Sequence, residues 1–453
     1  MATVKPRSWT GADGKLHKAW RVSYTDAQGK RHKPQFATKR EADEFRDKAV
    51  GEVRSGTHTP DSQSITLEKA GESWLKQREL DGIEETSLAS YRSRFNLHLK
   101  PRAIASEKLS RITRPMVVAL KKELQTDLSA AMARKVMTTL KMIMNHAIDE
   151  GTVAVNVAGT VKFRKPPRPE PVVIPTKEDL EKLIGGSALL PDDLRLYATL
   201  PPAKERTELA QAGKSRLMEA IAAEARPRKR ALLIQIARTH AMVVTAIWTG
   251  LRASEARGLR WDNVNFSTKT ITVVERADIF GKIGAPKSKT SVRNIPMSPL
   301  VLAALTEWRK ICPSGQDNLV FPNPDGKNAS HTNFVKREWY ELQEALGWVM
   351  PSGRFRQTLK KIDGGVTVAE EVLNKDGKRI EILETRYNWH TLRHAFASLC
   401  CEMGFPPKKI QGLMGHATIS ITMDLYSHLW PSEDDDHARF EKAQTAVIAN
   451  AAA

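Results

Sequence analysis

Cysteine is scarce: Cys312, Cys400 and Cys401 are the three among 453 residues. That count excludes a disulfide scaffold and fits a reducing compartment. Glycine (26) and proline (24) are too few for a fibrous or low-complexity chain. Long apolar runs are missing too; the longest, around 241–251, falls short of the ~18 residues that a membrane span needs. The segment from Met1 to Lys15 is polar and basic, without the apolar stretch of a secretory signal. A soluble, cytoplasmic protein with no membrane partner is the expectation. Paired carboxylates, a glycine-rich phosphate loop, zinc-type Cys/His spacing and a G-x-S-x-G elbow are all absent from the sequence. The run Glu433-Asp434-Asp435-Asp436 beside His437 follows Pro431-Ser432 and precedes a helical pattern, so it reads as capping and dipole complement rather than a metal cluster. No metal and no cofactor is expected.

Acid is the charge in deficit. Lys and Arg number 71 against 52 Asp and Glu, a net +19 with histidines neutral, and the pI is near 9.8. Such a surplus asks for a polyanionic partner. It is also uneven: residues 1–168 carry +13 and the remaining 285 only +6. A basic front joined to a more balanced body suggests phosphate-tracking modules attached to a packed core. The length predicts two to four domains, and 41% hydrophobic with 27% charged residues is the composition of a folded protein.

Trp20, Val22 and Tyr24 alternate with polar residues, a turn follows at Asp26 to Gly29, and a second short strand is expected from His32 to Phe36. Thr38 and Glu41 then make a capping-box pattern that opens a helix to about Val53. Residues 1–58 therefore read as a ββα module. From Leu67 to Gly151, apolar residues recur four apart (Ala70/Trp74, Tyr91/Phe95, Met116/Leu120/Leu124, Val136/Leu140/Met144), which predicts a four- or five-helix bundle over 61–164. Its exposed faces carry Arg92, Arg94, Lys100, Arg102, Lys121, Lys122, Arg134, Lys135 and Lys141, a DNA-facing set in so basic a chain. The proline-rich 165–171 is a linker. In the remaining segment, 172–453, Thr176 caps a helix to about Leu183 and another runs from about Leu232 to Thr249. Two strands are expected at 271–274 and 292–297, and helices dominate thereafter. The polar stretch 185–230 has no readable element, and 352–386 reads as a Gly- and charge-rich excursion. The fold class is α+β and multidomain: ββα module, helical bundle, and a mainly α domain with a small antiparallel sheet.

Four local patterns in the last segment carry chemistry. They are Thr249-Gly250-Leu251-Arg252-Ala253-Ser254-Glu255; Pro286-Lys287-Ser288-Lys289 at the entrance of a strand; His390-Thr391-Leu392-Arg393-His394; and Leu413-Met414-Gly415-His416, followed by Tyr426 and His428. Each alone is ordinary. Together they hold what displacement at a phosphodiester requires. Two arginine forks, Arg252 and Arg393, suit its non-bridging oxygens. Lys287 or Lys289 suits protonation of the leaving 5′-oxygen, and His390 suits acceptance of a proton from the attacking hydroxyl. A tyrosine nucleophile conserves the ester's energy, so strands are rejoined without ATP or metal.

In this order, Arg, Lys, His-x-x-Arg, Gly-His and Tyr resemble the tyrosine recombinases, specifically bacteriophage-type integrases. The resemblance runs from about residue 60 to 440 and, more loosely, over the N-terminal module. It implies that Tyr426 forms a 3′-phosphotyrosyl link while Arg252, Arg393 and His416 hold the phosphate. By the same resemblance His390 manages the nucleophile's proton and the hairpin lysine protonates the leaving oxygen. Lys287 is favoured because Pro-Lys-Ser-Lys is similar to the family's Pro-Lys-Thr-Lys; Lys289 is the alternative. Glu255 supports a neighbouring site residue rather than acting as a catalyst, and His394 and His428 pack or support the phosphate side. The resemblance further implies 1–58 as an arm-site DNA binder, 61–164 as a core-binding (SAM-like) domain and 172–453 as the catalytic domain, in a clamp around double-stranded DNA. A homotetramer would join two duplexes, with 438–449 docked on a neighbour. Accessory DNA-bending or directionality proteins would be further partners, in a bacterial or phage-encoded, nucleoid-associated setting. The stretches 185–230 and 352–386 exceed the family's compact core.

The leading expectation is thus a site-specific recombinase that integrates, and also excises, a mobile element or prophage. A non-cutting architectural or repressor-like DNA-binding protein on the same scaffold is the alternative; a type IB topoisomerase, sharing the chemistry, is the third. Removing residues 1–58 is expected to flatten the salt dependence of binding to long DNA sites while sparing binding to a short crossover core. A fluorescence-anisotropy salt titration with an unchanged slope would refute the arm role.

Overall fold

The computed structural model describes residues 2–10, 16–26, 29–56, 58–61, 64–164, 173–200, 204–286, 289–355, 357–361, 367–374, 377–427, 441 and 444–445. The chain divides into two compact units, Met1–Pro169 and Glu170–Ala453.

The first unit opens with a sheet of β1 (Thr3–Thr10), β2 (Leu16–Thr25), β3 (Arg31–His32) and β4 (Gln35–Phe36). β2 is central: β1 lies antiparallel along one edge, while β3 and β4 both pair with the other. The sequence reading of a simple hairpin needs two amendments. β1 is an added strand, almost wholly exposed and holding Pro6, so it shows no apolar alternation and sits at an edge where a missing N–H is tolerated. The expected strand from His32 to Phe36 is split at Lys33-Pro34, and Val22 N–H donates to the Pro34 carbonyl at 3.0 Å instead. α1 (Lys39–Arg54) closes the module behind the expected Thr38/Glu41 capping box and packs Ala42 and Ala49 on Val22 and Tyr24.

The rest of the unit is helical: α2 (Leu67–Leu80), α3 (Glu85–Arg94), α4 (Arg114–Asp127) and α5 (Ala130–Asp149). The four-apart stripes are its core, with Trp74, Phe95, Leu120, Leu124, Val136, Leu140 and Met144 all buried. Gly71 is required in α2, since a Cβ there would lie 2.1 Å from the Phe95 ring. Of the basic surface residues, Arg92, Lys100 and Arg102 are held by carboxylates within the unit.

The second unit contains α6 (Lys177–Gly186), α7 (Pro191–Thr199), α8 (Lys204–Ala223), α9 (Pro227–Thr249) and α10 (Ala253–Gly258). It continues through β5 (Val264–Asn265), β6 (Thr270–Val273), β7 (Arg276–Ala277), β8 (Ile283–Gly284), β9 (Arg293–Pro296), α11 (Pro299–Ile311), α12 (His331–Phe334) and α13 (Tyr340–Ala345). Its last part holds β10 (Val349–Phe355), β11 (Gln357–Lys361), β12 (Thr367–Glu371), β13 (Glu381–Thr385), α14 (Thr391–Glu402), α15 (Pro407–Met414) and α16 (Ile419–Tyr426). The stretch left unread at 185–230 is thus α7, α8 and the first turn of α9, which starts at Pro227 because proline suits the first helical position. α9 is long and apolar enough to pass for a membrane span by composition, but Ala241, Val243, Val244 and Ile247 are buried in the unit's core. The two expected strands, β6 and β9, pair antiparallel with Ile271 opposite Ile295, and β5 completes the sheet. The excursion at 352–386 is two antiparallel ribbons, β10 with β13 and β11 with β12.

Trp74 is 1% exposed, and its replacement by Ala is expected to destabilise the first unit by about 3–5 kcal/mol. Denaturant unfolding checks this; a midpoint within experimental scatter of wild type would show that Trp74 is not a core anchor.

Candidate active site

The candidate residues converge on the C-terminal end of α15. The last carbonyls of a helix lack partners within it, and the summed peptide dipoles make that end negative. Here three guanidiniums supply what is missing. Arg293 Nε donates to the Leu413 carbonyl at 2.7 Å, Arg393 Nη2 donates to the Met414 carbonyl, and Arg252 Nη2 donates to the Gly415 carbonyl at 2.9 Å. Gly415 ends α15 with φ +62°, a left-handed conformation that suits glycine.

Each arginine is placed by its local sequence. α9 ends at Gly250, φ +61°; a Cβ there would lie 2.4 Å from Phe396, and the Gly250 carbonyl accepts Arg393 Nη1 at 2.5 Å. Arg252 is the residue before α10, and its backbone N–H donates to Glu255 Oε2 at 2.9 Å while its Nη1 donates to Oε1 at 2.6 Å. Arg293 Nη2 and Nη1 donate to the same carboxylate at 2.8 and 3.2 Å. Burial works to raise the Glu255 carboxyl, but Arg293 and then Arg252 outweigh it and hold the group below the usual carboxylate range. Burial, then repulsion from Arg252, lowers the Arg393 guanidinium to about 9, so it keeps its proton at neutral pH. Arg393 and Arg293 are buried; the Arg252 side chain is one-third exposed.

Tyr426, the last residue of α16, is 1% exposed. Its hydroxyl lies 2.6 Å from His394 Nδ1, and its ring is nearly parallel to that of His416, with centroids 6.5 Å apart. Burial pushes the phenol up to about 12, against the opposing pull of Arg393. His416 Nδ1 is 2.9 Å from Thr422 Oγ1. His390, at the start of α14, meets His394 edge to face at 5.1 Å. Burial and then neighbouring positive charge push His390 and His416 down to about 4 and lower His394. All three are therefore neutral proton acceptors at neutral pH.

Arg252, Glu255, His390, Arg393, His416 and Tyr426 are thus brought together. His394, read from the sequence as packing or support, is the ring in hydrogen-bond reach of the tyrosine. Lys287 lies outside the described residues, as do His428, 165–171, 433–437 and, apart from 441 and 444–445, the segment 438–449. Lys289 opens a short 3-10 turn through Ser291 just before β9. Arg293 was missed, although a signal exists: 293, 295 and 297 share one face of a strand, and Ile295 and Met297 are apolar, so the arginine stands in a core register.

Lowered histidine pKa values set a pH window. The unfolded chain takes the His416 proton near 6.5, the folded one nearer 4, so the stability it contributes is complete above about 6.5 and is lost as pH falls toward 4; the lowered His394 acts in the same direction. The thermal midpoint of the full chain is expected to fall steadily from pH 6.5 to 5, before most carboxylates titrate. Calorimetry showing a flat midpoint over that interval would contradict it.

Residues 215–361 and 365–433 match the phage integrase family. A tyrosine recombinase XerC-like protein of Caldanaerobacter subterraneus subsp. tengcongensis is 24% identical over 432 residues, spanning 91% of this chain and 93% of that one. The ICEBs1 integrase of Bacillus subtilis (strain 168) is 21% identical, spanning 90% and 91%. Among solved structures, the Tn1549 transposon integrase in complex with transposon right end DNA is similar at TM-score 0.54 and 17% identity, covering 84% of this chain and all of that one. A lambda integrase dimer bound to a COC' core site is similar at TM-score 0.50 and 18% identity, covering 95% and 97%.

Proposed function

The chain belongs to the tyrosine recombinases, and on that premise we propose that it cleaves and rejoins duplex DNA through Tyr426. The phenol oxygen attacks the scissile phosphorus, the bond from phosphorus to the 5′-oxygen breaks, and a 3′-phosphotyrosyl ester remains. The phenol's proton passes to His394, with His390 behind it, and the 5′-oxygen takes a proton from the hairpin lysine, Lys287 or Lys289. Arg252, Arg393 and His416 hold the non-bridging oxygens, where charge builds during displacement. Glu255 fixes the Arg252 fork. Religation is the reverse displacement, so neither metal nor ATP enters the balance.

The observation that carries this reading is the 2.6 Å approach of His394 to the Tyr426 hydroxyl beside an arginine cluster. A phenol held near 12 does not ionise by itself at neutral pH, and a neutral imidazole in contact gives its proton somewhere to go. The named relatives include integrases, one of them of a transposon; by analogy, the substrate is a mobile element's or prophage's attachment DNA. In the same reading 1–58 binds arm sites, 61–164 grips the core site, 172–453 performs the chemistry, and four protomers act together, assisted by accessory bending or directionality proteins.

With plasmid DNA carrying the sequences that flank this gene, wild type is expected to give a protein–DNA adduct on a denaturing gel, and Tyr426→Phe none despite similar binding. An adduct from the phenylalanine variant would sink the assignment. No adduct from either, with salt-sensitive binding intact, would favour the non-cutting DNA-binding reading. Arg393→Ala is expected to lose about 3–4 kcal/mol of transition-state stabilisation, and near-normal single-turnover cleavage would show that it does not clamp the phosphate.

A further inference from the structure

Arg293 has no part in the reaction just described, yet it is the most fully engaged side chain at the site. Its guanidinium is spent on protein groups from three places. Two bonds reach the Glu255 carboxylate of α10, one reaches the Leu413 carbonyl at the end of α15, and Nη1 also donates to the Ser291 carbonyl at 3.0 Å. Ser291 ends the turn that begins at Lys289. Burying a guanidinium is costly, and an apolar residue in register with Ile295 would pack a strand at least as well. An arginine's planar fork does what an apolar residue does not: it fixes several acceptors in set directions at once.

We propose that Arg293 is a positioning residue for leaving-group protonation: it ties the lysine-bearing turn to the carboxylate that orients Arg252, so that proton donor and phosphate clamp share one frame. This rests on the reading that a hairpin lysine protonates the 5′-oxygen. Without Arg293 the turn loses its bond to Glu255's side of the site, and the lysine no longer meets the departing oxygen in the right place.

The test compares two duplexes that differ at one atom, the bridging 5′-oxygen of the scissile phosphate or sulfur in its place. In both, the bond from Tyr426 to phosphorus forms and the bridging bond breaks. A thiol is far more acidic than an alcohol, so sulfur departs as thiolate and needs no proton. Single-turnover adduct formation by Arg293→Ala is expected to fall about 100-fold or more on the oxygen duplex and less than tenfold on the sulfur duplex, with Arg293→Lys in between on oxygen. Both rates come from one preparation, so partial unfolding lowers them together and leaves their ratio unchanged.

Equal losses on the two duplexes, or no loss on oxygen, overturn the proposal. Lys287→Ala and Lys289→Ala are run alongside. If one lysine variant is rescued by sulfur and Arg293→Ala is not, the positioning role fails while the lysine reading stands. If neither lysine variant is rescued, the lysine reading itself fails.

Discussion

Helix α15 ends where a helix is least able to look after itself, and the site is built on that need. Its final carbonyls, at Leu413, Met414 and Gly415, are each met by a different guanidinium. The three arginines come from the start of α10, from α14 and from strand β9, segments far apart in the chain. One unsatisfied helix end therefore specifies how three distant pieces of sequence meet. The residue after this helix end, His416, and the short helix that follows, with Tyr426, are delivered to the same place without further machinery.

Close approach of backbone to side chain makes this arrangement possible. Gly250 has no Cβ to strike Phe396, so α9 stops beside α14 and offers its last carbonyl to Arg393. Gly258 serves the same end: a Cβ there would lie 2.6 Å from the backbone of Arg276 and Ala277, so α10 lies directly against β7. Behind these contacts the buried stripe of α9 and the β5–β6–β9 sheet form one continuous apolar core, which holds the charged groups to fixed positions at its rim.

Much of this was legible in the sequence. The bundle's stripes and the strand pair β6 and β9 follow from periodicities of 3.6 and 2, the capping box from Thr38 with Glu41 three residues on, and six site residues from the ordered motifs. What escaped has physical reasons. β1 is an exposed edge strand, whose residues face water on both sides and so carry no alternation. α7 and α8 were hidden because their stripes are diluted by buried polar contacts, such as fully buried Arg206 paired with Glu181. The two ribbons between β10 and β13 expose Met350, Leu373 and Leu383, which blurs the pattern that marks a strand. Arg293 and His394 act through partners more than 30 residues distant or on a neighbouring helix, and local spacing says nothing about those.

The arginine cluster also stores electrostatic stress. Three guanidiniums crowd one end of a helix; the carbonyls of that end and, among the described residues, the Glu255 carboxylate oppose them, and the low polarity of the surroundings amplifies what repulsion is left. The stress is visible in Arg393, whose grip on its proton is weakened chiefly by burial and next by Arg252. An anion that settles beside Arg252 and Arg393 relieves the repulsion between them. By linkage, a guanidinium that binds its proton more tightly once an anion arrives must in turn bind the anion more tightly for being charged. On the proposed function that anion is the scissile phosphodiester, and attraction to it is partly the release of a cost that folding has already imposed.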